Sequence, residues 1–165
     1  MRFRESNKIV SGIVPVDING GQTADYVCFK NYNHVTIIVT CGSIAGTCNL
    51  TVYKATDASA LGATAFSFDA YAKNANINGY NDEDSTSTDT LTEYTGASGT
   101  IATGATSNQM FVIEIDAQEI RTGSSTAYDW IALVVSDPSA SNTICATYIM
   151  SEPRYADAAP PTAIA

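Results

Sequence analysis

The chain has 165 residues, a mass of 17.4 kDa and a formal net charge of −9, from eight Lys and Arg against seventeen Asp and Glu. One domain is the natural count at this length, and such a chain hides roughly 68–70% of its unfolded surface, enough for a core without metals or disulfides. An acidic chain is a poor match for a phosphate backbone, and no apolar run approaches the roughly 18 residues of a membrane helix, so neither nucleic acid nor a membrane is expected as a partner.

Only 15% of the residues are charged, against about 25% in ordinary domains, and 15 Ser and 20 Thr carry the polarity instead. That balance favours strands and turns over surface helices, which need Glu, Lys and Arg. The segment Met1–Val10 is positively charged but lacks the apolar stretch of a secretory signal. The chain is therefore expected to fold in a reducing cytoplasm.

Residues 1–8 hold Arg2, Arg4 and Lys8 against Glu5 and read as a short basic N-terminal arm. From Ile9 the strand signals begin: Ile9-Val10, then Ile13-Val14-Pro15-Val16, broken by Gly12 and Pro15 and closed by the turn cluster Asp17–Gly21. Tyr26–Phe29 leads to a turn at Asn31-Tyr32-Asn33. His34–Cys41 is the strongest strand of the first half, rich in β-branched residues, with Leu50–Lys54 as its expected hairpin partner. Thr64–Tyr71 alternates again through Phe66, Phe68 and Ala70, and residues 74–90 read as a long polar loop.

Strands resume at Leu91–Tyr94, Thr100–Ala102 and Gln109–Asp116. Asp116 is placed to cap a single helical turn over Ala117–Arg121. Trp130–Val135 and Ile144–Met150 complete the set. About eight or nine strands with no helix longer than a turn predict an all-β, antiparallel β-sandwich, jelly-roll-like, over residues 9–152. Val35, Ile37, Val39, Val52, Phe66, Phe68, Phe111, Ile113, Trp130, Ala132 and Val134 are its expected core. Residues 153–165 turn to Pro, Ala and Thr, cannot form a core, and are expected to lie extended on a surface, ordering only against a neighbour.

No constellation signals catalysis, and no cofactor is expected. His34 is the only histidine and has no acid beside it in the sequence, so a general base is a poorer reading than a strand-edge histidine. Glu114 and Asp116 lie two apart on one strand, as a glycosidase pair or as a solvated face; the alternation with apolar residues favours the face. Cys28, Cys41, Cys48 and Cys145 contain no CxxC; Cys41 and Cys48 flank a loop and are either bridged or reduced core thiols. Asp82, Asp84, Thr86 and Glu93 fall at calcium-loop positions one, three, five and twelve, but Ser87 stands where the sharp turn needs glycine and no helices flank it. Tyr71, Tyr80 and Tyr94 are the residues that could stack on a sugar.

The segments Leu91–Thr100, Asn108–Ala117, Ala132–Pro138 and Tyr148–Tyr155, in that order, resemble a family of small tailed-bacteriophage virion structural proteins, typically encoded beside the major capsid protein. The first half joins more loosely through Val14–Asp17, Lys30–Asn33 and Leu50–Ala55. Two stretches depart from the pattern: Arg121–Asp129 is less acidic, and the acidic run Asp82–Asp89 is particular to this chain. The resemblance implies a capsid decoration or cement protein, made in the bacterial cytoplasm and carried on the capsid exterior. It would bind the major capsid protein, and a homotrimer suits the local three-fold positions of an icosahedral shell. A neck, tail or fibre component, or a carbohydrate-binding sandwich, are the alternatives. The contacts expected to hold it are Arg2, Arg4 and Lys8 in the arm and Pro153, Arg154, Tyr155, Pro160 and Pro161 in the tail.

Overall fold

The computed structural model describes residues 3–73, 91–94, 100–103, 107–154 and 162–164. Its strands are β1 (Lys8–Asp17), β2 (Gln22–Thr23), β3 (Val27–Cys28), β4 (Tyr32–Ile44), β5 (Asn49–Ala55), β6 (Thr64–Phe66), β7 (Asp69–Lys73), β8 (Leu91–Tyr94), β9 (Thr100–Ala102), β10 (Gln109–Asp116), β11 (Trp130–Val135) and β12 (Asn142–Pro153). Two α-helical turns, α1 (Phe3–Ser6) and α2 (Ala117–Arg121), and a 3-10 turn over Phe29–Asn31 accompany them. One sheet runs β1-β12-β4-β10-β7-β8; the other runs β2-β11-β5-β6, with β3 on β11 and β9 on β5. Every pairing is antiparallel, and the fold is an all-β sandwich around one apolar cluster.

Alternation builds the core. Val35, Ile37, Val39 and Cys41 of β4 point inward and are buried, as are Phe111, Ile113 and Ile115 of β10 and Ile144, Ala146, Tyr148 and Met150 of β12. The residues between them, such as Thr36, Ile38, Thr147 and Glu114, face outward, because successive side chains of a strand take opposite faces.

Several local readings change in the folded chain. β5 does not pair with β4: it pairs with β11, β6 and β9 in the opposite sheet, so the connection over residues 45–48 crosses the sandwich instead of closing a hairpin. Cys41 and Cys48 therefore do not face each other across a ladder, and all four cysteines are free thiols. Burial pushes the Cys41 thiol up to about 12, with Cys48 and Cys145 adding to the shift. The alternating run Thr64–Tyr71 divides into β6 and β7, one in each sheet. The broken start of the domain is one strand, β1, whose register with β12 slips between Ser11 and Ile13 and again before Val16.

Trp130 and Val134 are half-buried, not core. On β11 the inward parity belongs to Ile131, Leu133 and Val135. Trp130, Ala132 and Val134 lie on the outer face, where Ala132 is nonetheless fully covered. A run with no polar residue gives no parity signal, so only packing decides which half points inward.

A cross-sheet hydrogen bond ties the layers. Chain between β2 and β3 leaves the ladder opposite Leu133, whose carbonyl accepts from the Ala24 amide at 2.9 Å. The Leu133 N–H donates to the Tyr148 hydroxyl, from the other sheet, at 2.8 Å. Tyr148 is fully buried, and burial raises its phenol well above the ordinary range. Gly12 lies against this ring: a Cβ there would stand 2.4 Å from the Tyr148 Cε2 atom.

At the end of the sandwich where β1 finishes, the Asp17 carboxylate accepts from the Ser141 hydroxyl and from the amides of Asn19 and Asn142. The Ser141 hydroxyl, then the Asn19 amide, hold its pKa below the usual carboxylate value. A carboxyl whose folded pKa is depressed adds stability that is present above the unfolded value, near 4, and is lost as pH falls through the lower folded value. The urea midpoint of Asp17→Asn should thus lie below that of the parent near neutral pH and converge with it as the pH falls through the lowered folded value. A gap of constant size across that range would contradict this assignment.

Candidate functional site

The end of the sandwich capped by α2 gathers most of the side chains with chemistry. β10 ends at Asp116, whose amide donates to the Glu119 carboxylate at 2.7 Å, the back-bond expected of Glu at the third helical position. The β10–β4 register sets Asp116 directly opposite His34. His34 Nδ1 and Asp116 Oδ1 are 2.8 Å apart, and His34 Nε2 lies 3.4 Å from the Thr36 hydroxyl. The acid that is missing from the sequence around His34 is thus supplied 82 residues along the chain.

Three cations are anchored nearby. The Arg121 guanidinium donates through Nε and Nη2 to the Asp129 carboxylate. Lys54 Nζ donates to the Ile120 carbonyl at 3.1 Å and sits 4.6 Å from the Tyr128 ring centroid and 5.5 Å from that of Phe66. That ammonium lies over the faces of both rings, a cation–π arrangement. The Arg154 amide donates to the Asn31 carbonyl and its Nε to Asn33 Oδ1, both at 2.9 Å.

Between these groups lies an open cleft of about 550 Å³, lined by Asn33, Asp116, Ala117, Gln118, Arg121, Thr122, Glu152 and Arg154. Glu152 holds a φ of 52°, a left-handed conformation costly for a non-glycine residue and here immediately before Pro153. Two guanidinium and two carboxylate groups on one wall make the cleft polar and charge-balanced.

The residues expected from sequence to make contacts are partly brought together here. Lys8 pairs with Met150 and Pro153 with Tyr32, so the start of β1 and the end of β12 share this pole with Arg154. Arg4 lies in α1. Arg2, Tyr155, Pro160 and Pro161 lie outside the described residues, as do Tyr80 and the calcium-loop residues Asp82 and Asp84. Glu93 sits opposite Tyr71 in the β7–β8 ladder. Tyr94 sits opposite Ala70, so positions 71 and 94 fall on opposite faces of the sheet by register. Glu114 and Asp116 are both exposed on the outer face.

Reasoning from sequence missed the His34–Asp116 contact and the role of Lys54. Asp116 as an N-cap did announce the turn; nothing local announces which strand lies alongside.

No protein-family model matches the chain. No curated protein matches it either. Among solved structures, the chain is similar to the crystal structure of SPBc2 prophage-derived protein YomS, at 6% sequence identity and a TM-score of 0.45, over 87% of this chain and 94% of that one. The likeness is loose, and nothing about the role of this chain rests on it.

Proposed function

We propose that this protein is a structural component of a tailed-phage virion, a decoration or cement protein that binds the major capsid protein on the outside of the shell as a homotrimer. The role is one of attachment and reinforcement, not catalysis. The observation that carries the reading is the meeting of the start of β1 and the end of β12 at the α2 pole, where Arg154 lines a polar, charge-balanced cleft. The family resemblance supports it: of its four segments, Asn108–Ala117 covers β10 and Tyr148–Tyr155 covers the end of β12, the two strands that lead to that pole.

A second feature fits subunit contact. β1 is an outer strand of its sheet, ten residues long, with Ile9, Val14 and Val16 exposed at 54%, 63% and 37%. An open apolar edge offers main-chain hydrogen bonds and side-chain contact together. Pro15 limits this edge, as prolines on edge strands do, and so guards it against indiscriminate pairing.

The test is co-sedimentation with shells assembled from the major capsid protein encoded beside this gene. The expected result is saturable binding at a fixed ratio to the shell subunit, weakened at least about tenfold by Arg154→Glu, the size of effect expected when a charge at a polar contact is reversed. Shells that pellet without the protein would overturn the decoration reading. A virion map with the chain at the neck or tail would transfer it there.

A further inference from the structure

β1 is the longest strand that ends a sheet. It spans ten residues and pairs with β12 on one side, and no described strand lies along its other side. The other sheet-ending strands are short: β2 has two residues, β6 three and β8 four. The β3 edge is occupied by the end of the chain itself. Ala163 is fully buried in the core cluster, and its carbonyl accepts from the Cys28 amide at 2.8 Å. This corrects the expectation that the tail orders only against a neighbour: Ala163 seats on its own domain.

We infer that β1 pairs antiparallel with β1 of a second copy, joining their two six-stranded sheets across a two-fold axis. The pattern of the strand selects both the partner and the register. Ile9 lies opposite Ile149 and Ser11 opposite Thr147 on the outer face, while Val10, opposite Tyr148, is buried. The slip between Ser11 and Ile13 moves the inward position by one, so Ile13, opposite Ala146, is buried and Val14 is left outside. Five residues apart, Ile9 and Val14 would fall on opposite faces of a regular strand; here both are exposed, at 54% and 63%.

One antiparallel register of this strand with itself matches the faces throughout. It sets Ile9 against Val14, Val10 against Ile13 and Ser11 against Gly12 of the second copy, and the two-fold axis repeats each pair. Exposed apolar side chains meet each other, and so do the inward rims. Registers shifted by one residue would oppose exposed and buried positions. Pro15, which has no N–H to donate, falls just outside this block. Charge agrees with the pairing. Lys8 and Asp17 are the only charged residues of β1 and stand at its two ends, so an antiparallel pair carries each toward its opposite in the second copy. The stretch between them is uncharged, in a chain whose net charge of −9 otherwise keeps copies apart. An unrelated strand would have to match this pattern; a second copy does so by symmetry. The contact closes on two copies, is separate from the three-fold contact proposed above, and does not depend on the virion role.

Disulfide trapping of full-length variants tests the register. Cys145, which is not fully buried, is replaced in every protein (Cys145→Ser). In that background Ile9→Cys and Val14→Cys, carrying tags of different mass, are mixed and oxidised with diamide. The mixed disulfide dimer should form, because the two thiols face each other within bridging distance. Neither variant alone should cross-link, because position 9 lies about 17 Å along the strand from its own symmetry mate. Self-linked dimers as abundant as the mixed one would mean random collision, and an absent mixed dimer would mean no pairing; either overturns the inference. As a second measurement, Val14→Lys should raise the dissociation constant of the pair at least about tenfold by sedimentation velocity, since a lysine on an edge strand blocks pairing. An unchanged constant would equally overturn it. The shell experiment gives an independent answer. A parent that binds shells but yields no mixed disulfide loses the edge pairing alone, whereas a mixed disulfide without shell binding keeps the pairing and removes the decoration reading.

Discussion

Tyr148→Phe is expected to destabilise the fold by about 1–3 kcal/mol, although it removes a single oxygen atom. The loss is not that of an ordinary hydrogen bond. The Leu133 N–H lies on a buried strand, opposite the point where the chain between β2 and β3 leaves the ladder, and the Tyr148 hydroxyl is its acceptor. Without it a buried amide has no partner, and the desolvation of that donor is no longer repaid. For a domain of this size the shift in Tm should be roughly 2–4 °C for each kcal/mol. Chemical denaturation gives the same quantity through the midpoint, with an unchanged slope. A change under about 0.5 kcal/mol would mean that the amide finds water or another acceptor.

The Tyr148 ring also carries a steric prediction. Gly12→Ala would place a methyl group inside the ring contact, so either the ring or β1 must move. Because both substitutions act on one side chain, their effects should not add, and the double variant should cost less than the two single costs combined.

The second large effect belongs to Asn142, which has no exposed surface. Its Oδ1 accepts from the amides of Ala45 and Gly46 at 2.8 and 3.0 Å, and its Nδ2 donates to the Gly46 carbonyl at 2.6 Å. One side chain thus satisfies three backbone groups of the loop that carries the chain from one sheet to the other. Its own carbonyl accepts from Ile18 and its own amide donates to Asp17, so the same residue ties down the end of β1. Asn142→Ala should cost about 2–4 kcal/mol, since it removes three hydrogen bonds that hold the partly exposed crossing loop and leaves a cavity where the buried amide side chain stood. Asn142→Asp should be at least as damaging near neutral pH. It keeps the acceptor for Ala45 and Gly46 but turns the donor toward Gly46 into a second acceptor, buried and charged. A stable Asn142→Ala protein with native cooperativity would show that the crossing loop is held by other contacts.

The strands themselves were legible in the chain. β4, β8, β9 and β10 fall where β-branched runs and period-two alternation place them, and α2 where Asp116 places it, because these signals are local and each residue carries its own conformational preference. The core positions followed wherever polar and apolar residues alternate, as at Val35, Ile37, Val39, Phe111 and Ile113. On β11 they did not, since an uninterrupted apolar run is silent about its own parity. The pairing of strands was likewise not in the chain. Leu50–Lys54 suits a hairpin with β4 by pattern alone; it lies in the other sheet because burying Leu50 and Val52 against Ile131, Leu133 and β4 demands two layers, and layering is a property of the whole core. The candidate site is of the same kind. Lys8, His34, Asp116 and Arg154 are scattered in sequence and meet only through the β1–β12, β12–β4 and β4–β10 registers. Composition and local pattern determine an acidic, Thr-rich, all-β chain; the registers, set by long-range burial, decide which of its few charged groups stand together and where its last residues dock.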